Sequence, residues 1–117
     1  MTFQDNIPIY VQIADDIKAQ IISSKLNDND KLNSIREYSA MYQVTALTMQ
    51  RAMALLEAEN VIHTKKGIGS FVNPGTRETL RSKILAAMVR EFITRATNMG
   101  LTHTEITELI KEGLKNE

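Results

Sequence analysis

Isoleucines recur at every fourth position from Ile9 through Ile13 and Ile17 to Ile21, the spacing of one stripe along an α-helix. Pro8 stands at the first turn, where a missing N–H costs nothing. The run LNDNDKLN, Leu26 to Asn33, follows; its Asn and Asp side chains bond to nearby backbone and tolerate the left-handed region, so it predicts a loop. At Ser34 the order SIRE forms a capping box, with the serine oxygen accepting from the Glu37 N–H and the carboxylate reaching back to the Ser34 N–H. A short helix from Ile35 to about Tyr42 is expected. Gln43 and Val44 leave room only for a tight turn before Thr45, which caps a helix from Ala46 to about Glu59. Two helices so joined are a helix-turn-helix candidate.

The pattern changes at VIHTKKGIGSFV, Val61 to Val72, where β-branched and aromatic residues flank a glycine-bearing turn. It predicts a two-stranded hairpin with a basic tip. Asn73-Pro74-Gly75 breaks the chain and opens a second region. From Arg77 to about Asn98 the apolar positions form a stripe wider than one neighbour needs, and Gly100 ends that helix in the left-handed conformation. Thr102 and Glu105 make a second capping box, with a hydrophobic staple from Leu101 to Ile106. The last helix carries Ile106, Leu109, Ile110 and Leu114 on one face. The expected fold is mainly α with a small β-hairpin: a winged helix-turn-helix over residues 1–75 and a two-helix tail over residues 76–117.

Two helices of about forty residues in all do not enclose a core of their own. Packing against the same element of a second chain resolves this, so the tail is expected to make a homodimer through Leu80, Ile84, Leu85, Met88, Val89, Phe92, Ile93, Ile106, Leu109 and Ile110. The other arrangement open to these helices is to fold back on the N-terminal domain.

Composition narrows the class. A chain of 117 residues is too short for a large enzyme scaffold, and the absence of cysteine removes disulfides, thiolate metal sites and cysteine nucleophiles. No run is long and apolar enough to span a membrane, and the start of the chain lacks the order of a signal peptide, so a soluble cytoplasmic protein is expected. Formal charge balances, with 14 Lys and Arg against 14 Asp and Glu. The charge is unevenly spread: acids cluster at Asp5, Asp15, Asp16, Asp28 and Asp30, while Val61 to Arg95 carries seven Lys and Arg against Glu78 and Glu91. A basic zone inside a neutral chain hints at a polyanion-binding side.

On the helix from Ala46, a turn of about 100° per residue puts Met49, Ala52, Met53 and Leu56 on one side and Leu47, Gln50, Arg51, Ala54 and Ala58 on the other. By phase Leu47 is not a core residue. Thr45, Ala46 and Leu47 lead this outward face, with Gln50 and Arg51 one turn on. Such a helix enters the major groove of DNA by its N-terminal end, where leucine meets a thymine methyl, Gln pairs with adenine and Arg with guanine or phosphate. The Lys65-Lys66-Gly67 tip after it fits a wing, lysines for phosphate and glycine for close approach to the minor groove.

From Ile7 to Val72 the order PIYVQIADDIKAQI, KLNSIREYSAMYQVTALTMQRAMALLEAENVI and KKGIGSFV resembles the winged helix-turn-helix of the GntR family of bacterial transcription regulators. The two-helix tail is similar to that of its short-tailed, YtrA-type branch. The resemblance implies that Arg36 meets phosphate or a groove edge, that Thr45 and Thr48 hold phosphate, that Gln50 and Arg51 lie on the DNA side, and that Lys66 and Gly67 form the wing tip. It also implies a dimeric repressor on double-stranded DNA, in a branch often found regulating transporter operons. Asn stands at 33 where the family usually has Pro, and at 60 where Gly is frequent; Asn makes the same turns. Ala46 and Leu47 replace the Arg, Asn or Pro common there, so the bases read are this chain's own.

The leading expectation is a sequence-specific DNA-binding regulator on a two-fold symmetric operator. The alternative is a protein-binding adaptor that turns the winged helix, with its greasy Leu47, toward a partner. No triad, paired carboxylate or phosphate loop has usable spacing, and Asp15-Asp16 is expected to be solvated, so no enzyme and no cofactor is expected. His63 and His103 lack partners at metal-ligand spacing and are expected to be surface histidines. Larger family members hold an effector in a C-terminal domain; nothing after Pro74 is expected to enclose such a pocket, and no residue names an effector.

Overall fold

The computed structural model describes all residues, Met1–Glu117. Its elements in order are α1 (Ile9–Ile22), α2 (Ile35–Tyr42), α3 (Ala46–Ala58), β1 (Ile62–Lys65), β2 (Gly69–Val72), α4 (Thr76–Asn98) and α5 (His103–Lys115). Two compact units share them, Met1–Arg81 and Ser82–Glu117.

In the first unit, α3 is the central element: α1, α2 and β1 all pack on it. Met49, Ala52, Met53 and Leu56 are buried, as their helical phase requires, against Ile13, Ala14, Ile17 and Ile21 of α1. Ile9 drops out of the isoleucine stripe and is 42% exposed. Four residues advance about 400°, so a strict i+4 run winds around the helix, and Ile9 at its start leaves the buried side that Ile13, Ile17 and Ile21 keep. Gln12, also buried, accepts from the Gln4 N–H at 2.9 Å and donates to the carbonyls of Gln4 and Ile7, both at 2.8 Å, which ties the segment before α1 to the helix.

Local signals set the helix boundaries. Both capping boxes form: Glu37 N–H donates to Ser34 Oγ at 3.1 Å and Glu105 N–H to Thr102 Oγ1 at 3.2 Å, with each carboxylate accepting from the cap N–H. The C-terminal ends of α1 to α4 turn on left-handed residues. After α1, Ser24 (φ 65°) and Lys25 donate to Ile21 and Gln20; after α3, Asn60 (φ 60°) and Val61 donate to Glu57 and Leu56. Gly100 and Leu101 close α4 in the same way, and Gln43 (φ 56°) makes the turn between α2 and α3.

The hairpin pairs Ile62 with Val72, His63 with Phe71, Thr64 with Ser70 and Lys65 with Gly69. The run Leu26 to Asn33, expected to be loop alone, supplies a third partner. Lys31 bridges Phe71, Asn29 N–H donates to Val72 O at 2.9 Å, and Leu32 N–H donates to Ser70 O at 2.8 Å. Asp16 is likewise not simply solvated: its Oδ2 accepts from the Tyr42 hydroxyl at 2.7 Å and joins α1 to α2.

The first turn of α4 belongs with the first unit, beyond the boundary expected at residue 75. Thr76 Oγ1 donates to Asn73 O at 2.7 Å, Arg77 Nε to Ile22 O at 3.1 Å, and Leu80 packs on the hydrophobic core. Leu80 is therefore part of the first unit's packing and not of a free tail face. In the second unit only Ala96 of α4 and Ile106 of α5 are buried. Ile106, expected at a dimer face, is covered within its own chain. The remaining apolar positions (Ile84, Leu85, Met88, Val89, Phe92, Ile93, Leu109, Ile110 and Leu114) are exposed, Met88 by 60%. No helix is long and apolar enough to cross a membrane.

Candidate nucleic-acid interface

Thr45 opens α3 with its Oγ1 accepting from the Thr48 N–H at 3.2 Å and donating to Thr48 Oγ1 at 3.0 Å. The first amides of any helix have no intrahelical partner, so this end carries free N–H groups and partial positive charge. Short Ala46 leaves them accessible. Leu47 is 58% exposed, and Gln50 and Arg51 are exposed on the same outward face. Arg36 is exposed in the first turn of α2. Neither arginine, nor Lys65 or Lys66, has an acidic partner at salt-bridge distance.

Gly67, at φ 78°, makes the hairpin turn that Ile68 N–H closes onto Lys65 O at 2.9 Å. The two lysines of the hairpin turn are placed differently. Strand alternation puts Lys65 on the face with His63 and Phe71, and its Nζ lies 4.9 Å from the Phe71 ring centroid. Lys66 and Gly67 occupy the exposed turn beside Ile68, an exposed apolar side chain that the sequence reading passed over.

Beside this helix-turn-helix with its outward, unpaired face and basic hairpin stands a sequence match: residues 9–72 fit the bacterial regulatory proteins of the gntR family. The chain belongs to that family. It is 32% identical to the HTH-type transcriptional regulator YhcF of Bacillus subtilis over 111 residues, covering 93% of this chain and 92% of the relative. It is 27% identical to the HTH-type transcriptional repressor YtrA of the same organism, covering 93% and 86%. A GntR family transcriptional regulator from Listeria monocytogenes superposes with a TM-score of 0.80 at 31% identity, over 94% of this chain and 98% of that one. This GntR protein is accordingly a DNA-binding transcription regulator and not an enzyme.

Between α3 and the hairpin of this GntR domain runs a cleft of about 490 Å³, lined by Lys31, Asn33, Ser34, Glu37, Gln50, Ala54, Glu57, Thr64, Ile68, Gly69 and Ser70 among others. Thr64 and Ser70 share a 2.9 Å hydroxyl contact on the hairpin face that continues from the core into the cleft. The Ser34 backbone N–H, then the Ser34 hydroxyl, hold the Glu37 carboxyl below its ordinary value, and the charge of Lys31 adds to this against a small cost of burial. Burial raises the Tyr38 and Tyr42 hydroxyls, and at Tyr42 the Asp16 carboxylate that accepts from it adds to the rise. Lys31 was missed from sequence because it sits in an Asn- and Asp-rich run with no periodicity to orient it.

One expectation about the remainder changes. His63 is half-buried, donates from Nδ1 to Asn73 Oδ1 and stacks on Phe71; Asn73 in turn donates to Asn60 O at 2.7 Å. It is a structural histidine that fastens the hairpin to the end of α3. The second unit, expected to enclose no effector pocket, carries only an open apolar groove of about 600 Å³ lined by Met88, Phe92, Ala96, Met99, Leu101 and Leu109 with Glu91 and Arg95 at its rim.

Proposed function

We propose that two copies of this chain pair through the exposed apolar faces of α4 and α5 and act in the cytoplasm as a repressor, occupying a two-fold symmetric operator. The observation that carries the DNA reading is the unpartnered trio Leu47, Gln50 and Arg51 at the capped N-terminal end of α3, beside the Lys66-Gly67 turn. In this reading α3 enters the major groove, with Leu47 against thymine methyls and Gln50 and Arg51 on base edges. Arg36, Thr45, Thr48 and the Ala46 backbone hold phosphates, and Lys66 and Gly67 form the wing tip at the minor groove, with Lys65 turned to Phe71 behind them. Half-site centres then lie about one helical turn, roughly 34 Å, or slightly more apart.

Pairing rests on α4 and α5, which present a line of large apolar side chains from Ile84 to Ile93 that nothing in the chain covers. Repression follows the relative YtrA, a transcriptional repressor by name. Selection of bound duplexes from a random pool tests the whole reading. A palindromic fragment is expected to be enriched and to bind more tightly than its scrambled form at moderate salt. Equal binding of the two would leave only charge attraction. Sedimentation of the whole chain is expected to give a dimer, and of a chain ending at Arg81 a monomer; a dimeric short form would remove the tail from this role.

A further inference from the structure

A helix in the major groove and a wing in the neighbouring minor groove lie on either side of one sugar–phosphate strand, because that strand is what separates the grooves. The cleft between α3 and the hairpin is where it passes. Lys31 is the only cation among the residues lining that cleft, which also holds Glu37 and Glu57. A phosphate entering there meets two carboxylates unless a positive charge offsets them.

Lys31 is held in place for this. Its backbone bridges Phe71, and the next residue donates to Ser70 O at 2.8 Å, so it is anchored to β2 as a short third strand. Its stem crosses Gly69, where a Cβ would come within 2.7 Å of Lys31 Cε. Gly69 has φ +147°, a conformation that L side chains rarely adopt. No acidic group lies within salt-bridge distance of the Lys31 ammonium, and the Glu37 carboxylate already accepts from the Ser34 N–H at 2.9 Å. The ammonium is free for an anion brought by a partner.

We propose that Lys31 holds the phosphate strand that runs between recognition helix and wing, and that the bare Cα of Gly69 is what lets its side chain lie there. The proposal rests on the docking mode given above. It adds a contact to an element that lies outside both the helix-turn-helix and the wing tip.

The test uses the whole chain and a random-sequence duplex of about 30 base pairs, with affinity measured across salt concentration. Lys31→Met keeps the aliphatic stem and removes the charge. Losing one phosphate contact is expected to make the slope of log affinity against log salt shallower by about 0.9 per bound chain, and to weaken binding about fivefold near 0.15 M salt. The loss should be equal on random and pool-selected DNA, since a phosphate contact carries no sequence information. Lys31→Arg should bind within about twofold of wild type. Gly69→Ala, checked by thermal melt to be folded, should weaken binding by no more than Lys31→Met and add nothing to it in the double variant; an additive loss would overturn the part assigned to Gly69. If Lys31→Met keeps the wild-type slope while Lys66→Met and Arg51→Met lose theirs, the assignment of Lys31 is overturned and the docking mode stands. If none of the three changes the slope, the docking mode itself fails.

Discussion

The ammonium of Lys65 lies 4.9 Å from the centroid of the Phe71 ring, on the opposite face of the hairpin from the Thr64 and Ser70 hydroxyls. Lys66, its neighbour in the turn, has no such partner. A cation over an aromatic face contributes about 0.5–1 kcal/mol at an exposed site. Lys65→Ala is therefore expected to lower folding stability by about that much and to change the salt slope of DNA binding little. Lys66→Ala should leave stability unchanged and make the slope shallower by about 0.9 per chain. Denaturant melts and salt titrations of the two variants separate these effects; identical slopes would mean that both lysines face the duplex.

Leu47 is exposed on the outward face of α3, two positions and about 200° of helical phase from the buried Met49. Leu47→Ala is expected to change unfolding free energy by no more than about 0.5 kcal/mol. Selection from a random pool should then show weaker preference for thymine at one or two operator positions. Unchanged selectivity would turn Leu47 toward a protein partner, the adaptor role.

Three helix ends place L-residues in the left-handed region: Ser24 at φ 65°, Gln43 at φ 56° and Asn60 at φ 60°. That conformation costs an ordinary residue about 1–2 kcal/mol, while glycine gives back about 0.5–1 kcal/mol through the entropy of the unfolded chain. Ser24→Gly and Gln43→Gly should each stabilise the fold by about 0.5–1 kcal/mol, and Asn60→Gly by less, since Asn tolerates the region. Urea unfolding of the single variants measures this; destabilisation at Gln43 would assign its side chain a role that its backbone does not show.

Glu37 and Glu105 sit below their ordinary value of 4.5, chiefly because the cap N–H groups of Ser34 and Thr102 donate to their carboxylates. A carboxyl lowered by folding stabilises the native state above its unfolded pKa, and this is lost as pH falls through the folded one. Thermal melts between about pH 5 and pH 3 should therefore lose stability more steeply for the wild type than for Glu37→Gln/Glu105→Gln, whose amides still cap but do not titrate. Parallel melting curves would place the acid sensitivity elsewhere.

Much of the first unit was legible because its signals are local. Ser34 with Glu37, Thr45, and the 3.6-residue phase of Met49, Ala52, Met53 and Leu56 each act within one or two turns, and α2 and α3 start where those residues say. Contacts between distant segments were not legible. The Lys31–Phe71 bridge is a single pair and leaves no alternation to find. Gln12 reads as one more polar residue on a helix, although its amide holds the segment before it. Asp16 and Tyr42 meet across 26 positions, and Leu80 continues a tail stripe in sequence while packing on the core of the first unit, to which it belongs. In the interface the outward face of α3 followed from phase; which face of the hairpin Lys65 takes depended on the strand register.

α5 has 13 residues, and isolated helices of that length are marginal in water. Its capping box fixes where it starts but leaves most of its apolar side uncovered. Under the pairing proposed above, the amount of ordered backbone in each molecule depends on how much of the protein is present. Dilution should lower the far-ultraviolet helical signal by a fraction set by the tail, while amide exchange in α1 to α3 stays slow. Cellular abundance then becomes a variable of the fold itself, and a promoter that controls this chain's own synthesis would adjust structure and occupancy together.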